Sequence, residues 1–209
     1  MTTAADRGFN RLLNEINRGA LRPRDTFSER DLVERFQVSR TPVREAIKRL
    51  HERGFVQHGP KRVAVVRDVN RKEVEDLYAL RLKVEDMAAR LTARNITPAE
   101  LTRLRALNRD FSRAWKARDL GHMLDLRAQF HAVLVEATRN RWLAKVCVIL
   151  RDDAYAVRHA HWQEPERARQ SIDLHRGMID ALAAGEGARY RALVLEQIRG
   201  GLASYQARM

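Results

Sequence analysis

A mainly α-helical fold in two parts is predicted by three observations. Apolar residues recur at spacings of three and four along most of the 209-residue chain. Glycine and proline are sparse, at 10 and 5 residues, which favours helices over a turn-rich β fold. Only residues 55–66 set short Val-rich runs on either side of turn residues. The expected architecture is a front domain over residues 1–68, with three helices and a small β pair. An all-helical antiparallel bundle of about six helices follows over residues 69–209. The 44% hydrophobic fraction supports a core, and the 32% charged fraction suits a helix-rich chain.

Phe9, Leu12, Leu13 and Ile16 place an amphipathic helix over residues 6–18, ended by Gly19 and Pro23. Ser28 can cap a second helix, with Asp31 three residues on as capping-box partner, and Leu32, Val33 and Phe36 as its buried face. After Gln37-Val38-Ser39, a third helix is expected with Thr41 as N-cap and Pro42 at its first position. Val43, Ile47 and Leu50 form its inner face, and Gly54 stops it. Phe55 to Gln57 and Arg62 to Val66 read as two strands joined through His58-Gly59-Pro60-Lys61. This is a helix-turn-helix followed by a β wing.

Such a third helix offers free backbone N–H groups and a positive dipole end to a phosphate. The Ser39 and Thr41 hydroxyls can add hydrogen bonds, and Arg40 and Arg44 are long enough to reach base edges. Arg40, Arg44 and Lys48 recur at spacing four, which by itself fits a solvated face equally well. The formal net charge of +13 favours a polyanionic partner. Residues 1–68 carry 15 Lys/Arg against 9 Asp/Glu, and residues 69–209 carry 25 against 18.

Behind a short linker, Arg67-Asp68-Val69-Asn70, only helices are expected. Asn70 can cap the first, over residues 71–93, with Val74, Leu77, Val84 and Leu91 on one stripe. Thr97-Pro98-Ala99-Glu100 opens the next, to about residue 116, with Leu101, Leu104, Phe111 and Trp115 inward. Asp119 caps a helix over residues 120–138, and Asn140 starts one reaching to about His159. Glu164 to Ala184, ended by Gly185, and residues 187–207 complete the set.

The run Glu29-Arg30-Asp31-Leu32, then Val38 to Ala46, Leu50 and Gly54-Phe55-Val56, resembles the winged-helix head of GntR-family bacterial transcription regulators. The resemblance implies DNA contacts at Arg30, Ser39, Arg40, Thr41 and Arg44, with Gly59 at the wing tip. Two positions depart from the pattern: Arg24 follows Pro23 where the family has glycine, and Val63 lies near a common wing glycine. Tyr78, Arg81 and Glu85, then Phe130-His131 with Asn140, then His175 with Asp180-Ala181-Leu182, resemble the FCD effector domain of the FadR subgroup. Many such domains hold a divalent metal through one Asp and three His. Here the Asp position is Arg127, His131 and His175 keep two ligand positions, and the last falls at Gln197.

A guanidinium beside that position would repel a divalent cation and attract a carboxylate or phosphate. No cofactor is therefore expected, and any metal would have only His131 and His175 of the usual set. The expected effector is a small carboxylate held by Arg81 and Arg127, with His131, His175 and Gln197 as polar neighbours. Bland readings stand beside it: Arg81–Glu85 as an internal ion pair, the two histidines as packed core, and Arg127 neutralised by a nearby acid. His159 and His161 read as solvated, and Cys147 as buried among Val146, Val148 and Ile149.

The function these parts imply is a ligand-responsive, sequence-specific DNA-binding regulator. The resemblance implies a homodimer on a near-palindromic operator, with repression relieved by the effector. Alternatives are a bundle that binds a metal or only dimerises, and a helical enzyme using His131 and His175. The enzyme lacks a nucleophile–base pattern and a Gly-rich phosphate loop. The single cysteine suits a reducing cytosol, residues 1–8 lack a signal-peptide apolar region, and no run approaches ~18 apolar residues. A cytoplasmic protein with no membrane partner is expected.

Overall fold

The structure, a computed structural model, describes residues 3–60, 63–154 and 165–207. The chain divides into two compact units, Met1–Asn70 and Arg71–Met209. Among the described residues no helix is long and apolar enough to cross a membrane.

The front unit holds α1 (Ala4–Arg18), α2 (Glu29–Phe36) and α3 (Arg40–Glu52), with strands β1 (Thr26–Phe27), β2 (Val56–His58) and β3 (Ala64–Val66). Thr3 and Asp6 form a capping box at the start of α1, and Gly19 closes it in the left-handed region at φ 72°. Ser28 and Asp31 form the expected box at α2. Phe9, Leu12 and Ile16 of α1, Leu32 of α2, and Val43, Ala46 and Leu50 of α3 are buried. Val33, Phe36 and Ile47, expected inside, are only partly buried.

Two expectations need correction here. The helix α3 starts two residues earlier than expected, with Ser39 rather than Thr41 as N-cap. Pro42 tolerates the first turn because the N–H it lacks would have no partner inside the helix. The wing has a third strand: β1 pairs with β3, giving the order β1-β3-β2 with Phe27 opposite Ala64 and Val56 opposite Val66. Two residues carry no readable period, so β1 left no sequence signal. Arg24 turns into it at φ 71°, donates its N–H to the Val66 carbonyl, and pairs with Asp68 at 2.7 Å. A residue there takes the left-handed backbone that favours glycine. The expected strand start at Arg62 lies outside the described residues.

The second unit holds α4 (Arg71–Asn95), α5 (Pro98–Lys116), α6 (Leu120–Glu136), α7 (Arg141–Asp153), α8 (Pro165–Ala183) and α9 (Gly187–Gln206). The helix α4 packs on α9 and α7, α5 packs on α6 and α8, and α8 packs on α9. Capping matches the sequence: Thr97 with Glu100 at α5, Asp119 at α6 and Asn140 at α7. Met123, Leu126, Phe130, Val133, Leu134 and Val135 are all buried, so α6 is apolar around much of its circumference, as a central helix must be. The Thr92 hydroxyl donates to the Leu134 carbonyl at 2.7 Å, tying α4 to it.

The inner face of α4 differs from the apolar stripe expected. Val74 is buried, but Leu77, Val84 and Leu91 are only partly so. The buried stripe is instead Val74, Tyr78, Arg81, Glu85, Ala88 and Thr92. An ion pair at its centre removes the hydrophobic signal that periodicity reads. Leu101 and Trp115 of α5 are likewise only partly buried. Cys147 is buried against Ala88, Val135 and Leu143, whereas Val146, Val148 and Ile149 are exposed. Burial raises its thiol to about 11, with the Glu85 charge adding to the effect. His159, His161 and the expected start at Glu164 lie outside the described residues.

Candidate functional site

In the front unit, α3 turns Val43, Ala46 and Leu50 inward and leaves Ser39, Arg40, Thr41, Arg44 and Lys48 exposed. The Ser39 side chain makes no capping hydrogen bond. Its hydroxyl therefore does not satisfy the first-turn N–H groups, which together with the exposed Arg40 and Thr41 can meet a phosphate. Arg44 is held in a two-pronged pair by Glu29 of α2, at 3.0 Å for each bond. Arg30 of α2 is exposed beside it in sequence, and Lys48 lies 3.8 Å from Glu52. Arg49 serves the core instead, bonding Asp6 at 2.7 Å and lying over the Phe9 ring.

Gly59 sits in the wing turn and donates its N–H to the Val63 carbonyl. A Cβ there would come within 2.5 Å of a Val65 methyl, so the close strand approach requires glycine.

In the helical unit, a cavity of about 460 Å³ opens among α4, α6, α7, α8 and α9, within the usual size for small-molecule sites. Arg81, Arg127, His131 and Gln197 line it, together with Glu85, Arg151, Thr92 and Tyr190. His175 is not on its wall. It lies behind His131, ring centres 5.4 Å apart, stacked on Phe130 at 4.0 Å. Gln197 reaches the Ser171 hydroxyl at 3.5 Å, joining α9 to α8.

The buried charge at this cavity centres on Glu85. Glu85 accepts from Arg151 at 3.0 and 2.6 Å and from Arg81 at 3.2 Å. Arg151 also donates to the His131 carbonyl at 3.2 Å. Burial pushes the Glu85 carboxyl up, but the two guanidinium groups outweigh it and bring it down to about 2. Arg81, Arg127 and Arg151 line the cavity with Glu85, the buried carboxylate of its described wall, while Asp173 and Glu196 stand at the exposed rim. The Arg81 Nε and the His131 Nε2 are buried without a partner among the described residues, as are both ring nitrogens of His175.

Burial, then the charges of Arg151, Arg127 and Arg81, hold the His131 imidazole neutral. Burial and Arg127 push His175 down to about 3. Of the metal site implied by the resemblance two imidazoles remain, but the Arg127 guanidinium at the Asp position opposes a divalent cation. Among the described residues no group of three His, Cys, Asp or Glu comes together as a ligand set. A wall lined by guanidinium groups, with the Arg81 Nε–H unpartnered among the described residues, can receive an anion.

Arg151 and Tyr190 escaped the sequence reading. Arg151 stands 66 residues from Glu85 on another helix, so no local spacing links them. Arg81–Glu85 is the internal ion pair that spacing four allowed.

Comparison with known proteins fits both units. Residues 5–66 match the family described as bacterial regulatory proteins, gntR family, and residues 76–200 match the FCD domain. The Nta operon transcriptional regulator of Aminobacter aminovorans is 32% identical over 180 residues, 85% of this chain and 83% of that protein. The HTH-type transcriptional regulator LutR of Bacillus subtilis (strain 168) is 26% identical over 204 residues, 88% and 92% of the two chains. The E. coli McbR/YncC structure has the same fold, with a TM-score of 0.87 at 23% identity over 100% of both chains.

Proposed function

Because this chain belongs to the GntR family of bacterial transcription regulators and carries an FCD domain, we propose that it is a ligand-responsive repressor, released when a small carboxylate enters the helical cavity. The observation that carries the ligand reading is the buried Arg81 Nε, without a hydrogen-bond partner among the described residues, on the wall of a cavity also lined by Arg127 and Arg151. Arg127 and Arg81 would grip the carboxylate, and the neutral His131 and Gln197 would complete its hydrogen bonds. His175 would set the position of His131 from behind. Like its relatives, the chain is a regulator and not an enzyme. The cytoplasm is its proposed place, since its DNA partner is there.

Thermal unfolding with millimolar mono- and dicarboxylates tests the ligand reading. A ligand at a hundredfold its Kd adds about 2.7 kcal/mol, or roughly 5–10 °C for a chain of this size. The shift is expected in the wild type and lost in Arg127→Ala. A carboxylate shift that survives in both Arg127→Ala and Arg81→Ala would overturn it, as would tight Zn²⁺ binding lost in His131→Ala.

The proposed dimer uses the outer face of α4 and α7, which pack together. Trp142, Val146 and Ile149 lie at spacings of four and three on α7, and all are exposed. Leu80 and Met87 of α4 are exposed too. Apolar residues concentrated on two paired helices support an interface between copies. Two copies could then read two half-sites about one DNA turn apart. Sedimentation at micromolar concentration is expected to give two chains for the wild type and one for Val146→Asp. A monomeric wild type would sink the dimer.

A further inference from the structure

A second groove, of about 500 Å³, runs between α5 and α8 and shares no wall with the effector cavity. Arg105, Arg109, Arg113 and Lys116 of α5 and Arg176 of α8 line it, with Asp180 as the one acidic group. The four α5 cations fall within about 80° of one another around an ideal helix. Arg113 is 3.1 Å from Asp110, and Arg176 is 3.5 Å from Asp173. Arg105, Arg109 and Lys116 pair with no carboxylate among the described residues. At the groove floor, Asn108 is buried, gives its amide N–H to the Ile172 carbonyl, and leaves its Oδ1 without a partner.

Several cations of the unit have acidic partners at spacing four: Arg71 with Glu75, Lys72 with Asp76, Arg90 with Asp86. On α5 the same spacing sets Arg105 against Arg109 and Arg109 against Arg113. Like charges so placed destabilise a helix, and an anion laid across them relieves that repulsion. At 1.5 Å per residue, Arg105 to Lys116 is a row about 16 Å long. A compact anion would touch one or two of these groups. One DNA strand, with a phosphate every ~3.4 Å along the duplex axis, offers four or five over the same length.

We infer that the α5–α8 groove is a phosphate-backbone contact through which the helical domain itself holds duplex DNA. The inference rests on the chain being a DNA-binding regulator. It adds a sequence-independent contact to those of the head and gives the basic surplus of residues 69–209 a place and a partner.

The test is duplex binding by the full chain across 50–200 mM salt. The wild type is compared with Arg105→Ala/Arg109→Ala/Lys116→Ala and with a charge-matched control, Arg94→Ala/Arg103→Ala/Arg199→Ala, whose cations are exposed outside the groove. Circular dichroism confirms that each variant folds. In the groove variant the slope of log affinity against log salt is expected to become shallower by about 2 to 3, near 0.9 per lost phosphate contact. The control should keep the wild-type slope. Equal slopes in wild type and groove variant would overturn the inference, and so would equal loss in groove variant and control. Stabilisation by inorganic tripolyphosphate that depends on the groove cations, with the DNA slope unchanged, would assign the groove to a compact anion and overturn it too. A wild type that binds no duplex at any salt would instead refute the regulator reading itself.

Discussion

Glu85→Ala is expected to destabilise the helical domain by about 3–5 kcal/mol, because it strands buried guanidinium groups without a counter-charge. Arg81 and Glu85 are both under a tenth exposed. Arg151 holds the carboxylate with two short bonds, so no water replaces it without rearrangement. The measurement is urea unfolding followed by tryptophan fluorescence. Trp115, Trp142 and Trp162 all lie beyond residue 70, so the signal reports the helical domain alone. Glu85→Gln should lose most of the same stability, since an amide keeps shape but not charge. Replacing Glu85, Arg81 and Arg151 together with apolar residues should recover much of it. A loss under about 1 kcal/mol in Glu85→Ala would show that the ion pair is dispensable.

The same group gives the domain a pH dependence of known sign. The carboxyl of Glu85 stands at 4.5 when unperturbed and near 2 in the fold. A depressed folded pKa contributes stability that is fully present above the unfolded value and is lost as pH falls through the folded one. Between about pH 4.5 and pH 2 the wild type should therefore lose about 3 kcal/mol that Glu85→Gln does not lose. Parallel acid curves for the two proteins would contradict the assignment.

The second large effect lies in the DNA-reading head. Arg40→Ala and Arg44→Ala are each expected to lower affinity for a duplex selected from a random pool roughly ten- to hundredfold, if they read base edges. If they meet phosphates, affinity for every sequence should fall alike, with a shallower salt slope. The two-pronged Glu29 pair refines this for Arg44. In the free protein the guanidinium is already oriented, and the carboxylate beside it disfavours an unselected phosphate. Glu29→Ala is thus expected to raise affinity for unrelated duplex and narrow the gap to the selected site. Gel-shift titrations on both duplexes decide it, and an unchanged ratio would remove Glu29 from the recognition surface.

The helix starts of both domains were legible because their determinants are local. A capping residue acts within one turn, so Ser28 with Asp31 and Thr97 with Glu100 could be read from spacing and are formed as read. The exposed basic side of α3 followed from helical period alone. Where the reading slipped, the deciding interaction was not local. The strand β1 exists because β3, nearly forty residues later, offers it a ladder. The N-cap moved from Thr41 to Ser39 because Pro42 is tolerated throughout the first turn and does not fix where it begins.

The effector pocket divides along the same line. By itself the sequence determined the helix order and the basic start of α3, while its resemblance to the FCD domain supplied Arg81, Arg127, His131, His175 and Gln197 as candidates. Spacing along one helix gives the basic side of α3, because 3.6 residues per turn fix which side chains share a face, but the pocket candidates stand on four different helices. Only the tertiary structure decided what those residues meet. It brought Arg151 across 66 positions to Glu85 and made α4 present an ion pair, not an apolar stripe, to its neighbours. It set His175 behind His131 and gathered the α5 cations against Arg176 in one groove. The physical reason is that charge and burial depend on distance in space. Groups from different helices come within a few ångströms only when the core has packed, and no period in the chain records that encounter.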